Sequence, residues 1–165
     1  MAIDKWILGV AGEFAVAAEL CRRGMYAQLT LGHRKRTDLL VESEKRRMFR
    51  IEVKTKQGRE WPNCRGIAAD DSFLVFVDFE NKPDTARPDF YILNVHEWQA
   101  FVKAEAKRYE HKHPGRRVQI TKDNVAICLD EVNRYNQPYT GSSVRPEKIK
   151  EYQEDWQKLA RDLEL

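Results

Sequence analysis

Alternation of apolar and polar side chains is clearest over residues 48–56. The odd-numbered residues from 49 to 55 are Phe, Ile, Val and Thr, and the even-numbered residues from 50 to 56 are Arg, Glu, Lys and Lys. A period of two is typical of a β-strand with one buried face. The pattern therefore predicts a strand over Met48–Lys56, paired through a polar turn at 44–47 with a preceding strand.

Other strands are predicted from shorter apolar runs. Runs at 25–31 and 37–43 precede the clear strand, and the nearly continuous apolar run at 72–79 is typical of a central strand covered on both faces. A further strand is predicted at 89–94 and a weaker one at 125–129. Residues 57–71 and 137–143 are interpreted as loops, because turn-forming residues interrupt them.

Three helices are predicted from periodicity near 3.6 residues. In the first, over 4–23, one stripe is expected to face the core, with Glu13 roughly 80° from the centre of that stripe and Glu19 pointing away from it. That stripe consists of Ile7, Val10, Phe14, Ala17 and Cys21. The second helix covers 95–111, and a final amphipathic helix is predicted over about 146–164. The Tyr and Trp of the final helix are expected to pack into the core, with dimerisation through it as a secondary possibility.

The order of these elements predicts a mixed α/β fold in a single domain over residues 1–165. The chain has no run of 18 apolar residues and no apolar leader, which excludes a spanning helix and a signal peptide. Its 3 cysteines show no CxxC spacing. We therefore expect a cytoplasmic protein without a membrane partner, a disulfide framework or a zinc knuckle.

Charge is unevenly distributed along the chain. The net charge is only +3, yet residues 33–66 carry 11 Lys or Arg against 5 Asp or Glu. A basic segment on a nearly neutral protein favours a polyanionic partner, although an ordinary solvated surface fits the charge count equally well.

Asp38, Glu52 and Lys54 are the strongest candidates for chemistry. Asp38 begins the second predicted strand, and Glu52 and Lys54 share one face of the third. Carboxylates on adjacent strands form an oxygen-rich site suited to Mg²⁺ or Mn²⁺, and a neighbouring lysine can orient a water or stabilise a charged phosphate. Taken alone, Glu52-Val53-Lys54 is equally typical of an exposed strand with a Glu–Lys pair.

These residues resemble the PD-(D/E)xK nuclease superfamily. The resemblance covers about residues 7–58 and depends on Gly12–Leu20, Gly24, Asp38–Val41 and Ile51–Thr55, with Thr37 where the family has proline. It implies a restriction-endonuclease-like core, in the order α-β-β-β-α-β, with a central mixed sheet flanked by helices. It further implies that Asp38 and Glu52 are metal ligands, that Lys54 is the catalytic lysine, that the Val53 carbonyl is an added ligand, and that Glu13 supports the metal.

Cations around this motif are expected to hold a phosphodiester backbone. They are Arg34, Lys35 and Arg36 before Asp38, and Lys56 and Arg59 after Lys54. Trp61 could stack on an unpaired base, or fold onto the core instead.

The sequence thus predicts a metal-dependent nuclease that uses Mg²⁺ or Mn²⁺ on nucleic acid, with DNA as the expected substrate. A homodimer would suit cleavage of both strands. Two alternatives stay open: a catalytically silent nuclease-fold module that binds nucleic acid or a protein, and an RNA-processing enzyme with the same site.

Overall fold

The computed structural model describes residues 3–30, 37–43 and 45–161. Three α-helices, ten β-strands and two 3₁₀ turns follow one another in these segments. In chain order they are α1 Lys5–Cys21, β1 Tyr26–Leu29, β2 Leu39–Glu42, β3 Met48–Lys56, β4 Trp61–Cys64, β5 Ser72–Asp78, β6 Asp89–Asn94, α2 Val95–Lys112, β7 Val118–Ile120, β8 Ala126–Val132, β9 Pro138–Thr140, β10 Ser142–Val144, 3₁₀ turns at Pro146–Lys148 and Lys150–Tyr152, and α3 Lys158–Arg161.

A five-stranded mixed sheet forms the centre of the fold, in the order β1-β2-β3-β5-β6. The β3–β5 pair is parallel and the other pairs are antiparallel. All seven residues of β5 are buried, as its apolar run predicts. The mixed α/β class is therefore confirmed, and so are the bounds of β3 and β6 to the residue.

Each face of this sheet carries its own apolar core. On one face α1 packs on the odd-numbered residues of β3 through Val16 and Leu20. On the other face α2 packs through Trp98 and Val102, and the small β4–β10 sheet adds Trp61. Trp61 makes edge-to-face contacts with Phe76 and Tyr91, with ring centroids 5.0 and 5.8 Å away. Two even-numbered residues of β3, Glu52 and Lys56, are therefore buried under a second layer rather than exposed to solvent.

The predicted buried stripe of α1 is wrong. Ile7 and Phe14 are 54% and 59% exposed, whereas Gly12, Val16, Glu19 and Leu20 are buried. The reason is Gly12: a Cβ there would lie 1.9 Å from Thr55 Oγ1, so the helix backbone sits directly on β3 through its smallest residue. Helix packing is thus set by close approach instead of by the largest apolar side chains.

Glu19 also differs from its predicted position, since it is buried at the end of α1. Its carboxylate accepts hydrogen bonds from Arg87 at 2.8 and 2.9 Å and from Arg23 at 2.5 Å. These hydrogen bonds, the one from Arg87 foremost, lower the pKa of Glu19 to about 2 despite its burial. Glu19 therefore anchors α1 to the segment before β6.

The continuous helix predicted over 146–164 is also wrong for the described residues. Ile149 packs in the core under α2, whereas Trp156 and Leu159 pack in the core under α1. The chain crosses between the two cores at Glu154, which has a φ of 56° and donates its N–H to Phe90 O at 2.9 Å. One straight helix cannot reach both faces of a sheet, so the apolar residues are divided between 3₁₀ turns and α3. Ile149, Trp156 and Leu159 are buried within the chain, and dimerisation through this segment stays a prediction.

Two predicted loops contain strands. β4 lies within 57–71, β9 lies within 137–143, and β10 begins there and ends at Val144. β4 and β10 pair with each other, aligning Cys64 with Ser142, far apart in sequence. Pairing of this kind depends on tertiary contact, which local periodicity does not encode. Among the described residues, no helix has the length and apolar character needed to cross a bilayer.

Candidate active site at the start of β2

The start of β2 brings Asp38 against the middle of β3. The main-chain N–H of Asp38 donates to Ile51 O at 2.9 Å, and its carboxylate Oδ2 accepts from the N–H of Val53 at 2.7 Å. Leu39, the next residue, pairs with Ile51 in the regular ladder. The two β3 partners of Asp38, Ile51 and Val53, flank Glu52 in the chain. These hydrogen bonds therefore place Asp38 opposite Glu52.

The Asp38 carboxyl lies in a partly dry environment. Burial raises its pKa above the ordinary aspartate value, while the Val53 N–H and the positive charge of Lys54 act in the opposite direction. The attraction to Lys54 places that ammonium close to Asp38. A carboxylate with a raised pKa favours a cationic partner, because a cation offsets the charge that burial disfavours.

Glu52 and Lys54 lie on the face of β3 that α2 and β4 cover. Glu52 is buried, and its Oε1 accepts a short hydrogen bond from Lys54 Nζ. The Lys54 side chain is 28% exposed, so it reaches the surface while Glu52 does not. The ammonium of Lys54 therefore connects a buried acid with the partly exposed surface.

Cys64 of β4 lies close enough to Glu52 and Lys54 to sense both charges. Burial raises the pKa of its thiol to about 12, and the thiol donates to Trp61 O at 3.4 Å. A thiol in that state is protonated near neutral pH and is a poor nucleophile. Cys64 therefore lines the site as an apolar wall, which agrees with the absence of any nucleophile motif around it in the sequence.

Glu13 enters the site from α1, on the other face of the sheet. It follows Gly12, the residue that brings the helix onto β3, and it is half-buried. Burial raises the pKa of Glu13, and repulsion from the Asp38 carboxylate raises it further. Glu13 and Asp38 thus carry like charges that repel one another, and a cation bound between them would relieve that repulsion.

The predicted backbone-binding cations have different outcomes. Arg34, Lys35 and Arg36 lie outside the described residues, and Arg59 is exposed. The prediction for Lys56 is wrong, because the residue is buried and its Nζ donates to Asp78 at 2.6 Å, Gly58 O at 2.9 Å and Glu80 at 2.9 Å.

Trp61 is likewise unavailable for base stacking. Its ring is 1% exposed and lies 4.8 Å from Lys56 Nζ, and its indole N–H donates to Val77 O at 3.3 Å. The strand alternation correctly separates the two faces of β3. It does not reveal that β4 covers the far end of the charged face.

The donor set of this site suits a hard divalent cation. The residues predicted as ligands, which are the Asp38, Glu52 and Glu13 carboxylates and the Val53 carbonyl, offer only oxygen atoms. Across residues 3–30, 37–43 and 45–161, no group of three or more His, Cys, Asp or Glu side chains encloses a metal position. Mg²⁺ fits such an open set, since it retains several waters and commonly uses one or two protein carboxylates together with substrate phosphates.

A second concave region, which the sequence reasoning did not identify, lies between α2 and the β7-β8-β9 sheet. Its volume is about 520 Å³. Two of the cations that line it pair with acids: Arg145 pairs with Glu60 at 2.9 Å, and Lys148 forms a short ion pair with Glu105. These pairs reduce the attraction that the region can offer to a polyanion.

Comparison with known proteins supports the fold. No protein-family model and no curated protein matches the chain. The solved structure of a bacterial homing endonuclease, I-Ssp6803I, aligns with 98% of this chain and 96% of its own, with 16% sequence identity and a TM-score of 0.50. At that identity the likeness concerns architecture: this chain has the fold of a structure solved for an endonuclease.

Proposed function

We propose that this protein is a metal-dependent nuclease of the PD-(D/E)xK type that hydrolyses phosphodiester bonds, with DNA as its substrate. The carrying observation is the placement of Asp38 across from Glu52, with Lys54 close to both. The motif order in the sequence and the shared fold with a homing endonuclease support the same assignment.

Each residue of the cluster has a proposed role. Asp38, Glu52 and the Val53 carbonyl would hold the cation, and Glu13 would add negative charge from α1. A bound Mg²⁺ or Mn²⁺ would supply charge neutralisation at the phosphate and ease ionisation of a water. Lys54, hydrogen-bonded to Glu52 and partly exposed, would orient the attacking water or donate to a phosphate oxygen as negative charge develops there.

Contacts to the nucleic-acid backbone are proposed for the cations beside the cluster. Arg34, Lys35 and Arg36 immediately precede Asp38 in the chain, and Arg59 is exposed after β3. Contacts of this type position a phosphodiester without reading sequence, and they weaken as salt rises. Lys56 takes no part in this proposal, since three acceptors already surround it.

A cleavage assay tests the proposal. Supercoiled, single-stranded and branched DNA are incubated with wild type, Asp38→Asn or Glu52→Gln in the presence of Mg²⁺ or Mn²⁺. Both variants should lose at least about 100-fold in rate, the scale of removing one charge-stabilising group. The matched control is Asp71→Asn. It changes a carboxylate that is 49% exposed and pairs with Arg50, which lies on β3 like Glu52. Equal cleavage by all four proteins would overturn the proposal.

A second candidate function is a silent module that binds nucleic acid without cutting it. The favouring observation is the Lys54–Glu52 ion pair, which engages an oxygen that a cation would also need. Calorimetric titration with Mn²⁺ separates the two functions. Heat of binding that disappears in Glu52→Gln supports the nuclease. Absence of metal uptake, together with salt-sensitive DNA binding, supports the silent module.

A further inference from the structure

Helix α1 carries a second apolar face that points away from the sheet. Its exposed positions are spaced by four, three, four and three residues, and none of them bears a charge. They are Ile7, Ala11, Phe14, Ala18 and Cys21. Trp6, which is 76% exposed, flanks this line about 100° around the helix, and Ile3, which is 45% exposed, precedes the helix. We refer to these seven residues as the α1 seam.

Within residues 3–30, 37–43 and 45–161, the α1 seam is not explained by packing. The opposite side of the helix, through Gly12, Val16 and Leu20, already meets the sheet. Aromatic side chains bury about 150–250 Å² each when covered, so leaving Trp6 and Phe14 in water forgoes a large apolar contribution. Alternating spacings of three and four are typical of the contact line between two packed helices. The seam therefore has the residue spacing of a surface that packs against a second helix.

We propose that the seam binds a second copy of this chain, α1 against α1, in antiparallel orientation about a two-fold axis. The argument is self-complementarity. With the axis passing between positions 12 and 13, Ile7 faces Ala18 of the second copy and Phe14 faces Ala11 of the second copy. Each large side chain then meets an alanine, and the symmetry makes every such contact twice. A parallel pairing would instead place Phe14 against Phe14 and Ala11 against Ala11.

Charge at the two ends of α1 fits the same orientation. Asp4 caps the amino-terminal end, and Arg22, whose side chain is 71% exposed, follows the carboxyl-terminal end. Lys5 adjoins Asp4, so the amino-terminal end carries both signs of charge. Antiparallel packing brings Asp4 of one copy near Arg22 of the other and opposes the two helix dipoles. Parallel packing would place Asp4 beside Asp4 and Arg22 beside Arg22. The ends thus disfavour the alternative orientation.

The length of the seam sets the expected strength of the dimer. A helix of 17 residues is about 26 Å long. One such contact line is smaller than the roughly 800 Å² per partner of a standard stable interface. We therefore expect association in the micromolar range, where protein concentration controls the dimer population.

Sedimentation of the full chain tests the proposal. From about 1 to about 100 µM, wild type should shift from the 19.4 kDa monomer to a species of twice that mass. Phe14→Glu should remain monomeric at every concentration, because two-fold symmetry introduces two buried charges. The matched control, Tyr139→Glu, changes an aromatic residue of β9 that is 51% exposed, and it should dimerise like wild type.

Circular dichroism of both variants establishes that they are folded. A wild type that stays monomeric at about 100 µM, or a dimer that persists in Phe14→Glu, would overturn the proposal. Asp38→Asn should dimerise normally, so a failure of the nuclease assignment and a failure of the dimer are separately visible.

Orientation is tested by disulfide crosslinking in a Cys21→Ser background. An equal mixture of Ile7→Cys and Ala18→Cys proteins, one of them tagged, should form a crosslinked heterodimer under mild oxidation. Each protein alone should crosslink far less, because its two thiols lie at opposite ends of the antiparallel pair. Strong crosslinking of Ile7→Cys with itself would indicate a parallel pair and contradict the proposed geometry.

Discussion

Two lysines of β3 lie two residues apart and have opposite surroundings. Lys56 is 3% exposed and donates to Asp78, Glu80 and Gly58 O, with the Trp61 ring beside it. Lys54 is partly exposed, donates to Glu52 and attracts Asp38. All three ammonium hydrogens of Lys56 have acceptors within the fold. The comparison indicates that a structural lysine is one whose donors are fully used internally, whereas Lys54 faces acids that favour a further cation or substrate.

The largest expected effect is on the cleavage rate, when each of the two lysines is replaced by alanine in a separate variant. Lys54→Ala should lower the rate by at least about 100-fold, because a positive group at the developing phosphate charge is lost. Lys56→Ala should retain near wild-type cleavage per folded molecule. Lys103→Ala, at an exposed position of α2, is the control for removing one positive charge. Equal losses of cleavage rate in Lys54→Ala and Lys56→Ala would contradict the assignment of different roles to the two residues.

Stability should show the reverse order. Lys56→Ala leaves the Asp78 carboxylate buried without its closest cation, a change that typically costs about 3–5 kcal/mol of unfolding free energy. Lys54→Ala also leaves a buried carboxylate, Glu52, without its cation, but its side chain is 28% exposed and loses fewer hydrogen bonds than that of Lys56, so its cost should be the smaller of the two. Urea denaturation measures both. A small effect of Lys56→Ala would show that its burial contributes little to the fold.

Metal binding should involve only the Lys54 end of the strand. A saturating divalent cation stabilises the folded state by about 2.7 kcal/mol at 100 times its dissociation constant. Mn²⁺ should therefore raise the Tm of wild type and of Asp78→Asn, but not that of Glu52→Gln. Thermal denaturation with and without Mn²⁺ measures this difference. A Mn²⁺ shift that survives in Glu52→Gln would place the ion elsewhere.

The smallest effect concerns pH. Burial raises the folded-state pKa of Asp38 above its unfolded value, so the folded protein holds that proton more tightly. The associated stability is present below the unfolded pKa and is lost as pH rises through the folded pKa. Asp38→Asn, whose amide oxygen can still accept from Val53, should therefore raise the Tm by a few degrees near pH 7 and by less near pH 4. A Tm gain that grows toward acidic pH would contradict this sign.

Strand positions were well predicted from the sequence, because strand alternation is local. The bounds of β3 and the burial of β5 on both faces follow from the side-chain pattern alone. The motif residues Asp38, Glu52 and Lys54 could be proposed because strand spacing fixes their separations. Burial of Lys56 could not be anticipated, since β4 covers it through a pairing with β10 about 80 residues away in the sequence.

The helices were harder to predict for a different reason. A helical wheel ranks faces by apolar size, and α1 presents its larger apolar residues to solvent and its glycine to the sheet. Glu13 lies at the border of both faces, where the charge of Asp38 acts on it, and its role in the site stays a prediction. At the carboxyl-terminal end, the apolar residues are regularly spaced, but they pack into two cores on opposite sides of the sheet. The spacing alone does not indicate that division.

The contact of Gly12 with Thr55 has a consequence for evolution of the site. Gly12, the residue before Glu13, carries only a hydrogen atom as its side chain, and that hydrogen faces the strand that carries Glu52 and Lys54. Exchange of that hydrogen for a methyl group would tilt the helix outward and withdraw Glu13 from Asp38, without touching any acid or base. Selection for catalysis would then act on a residue that has no functional group at all.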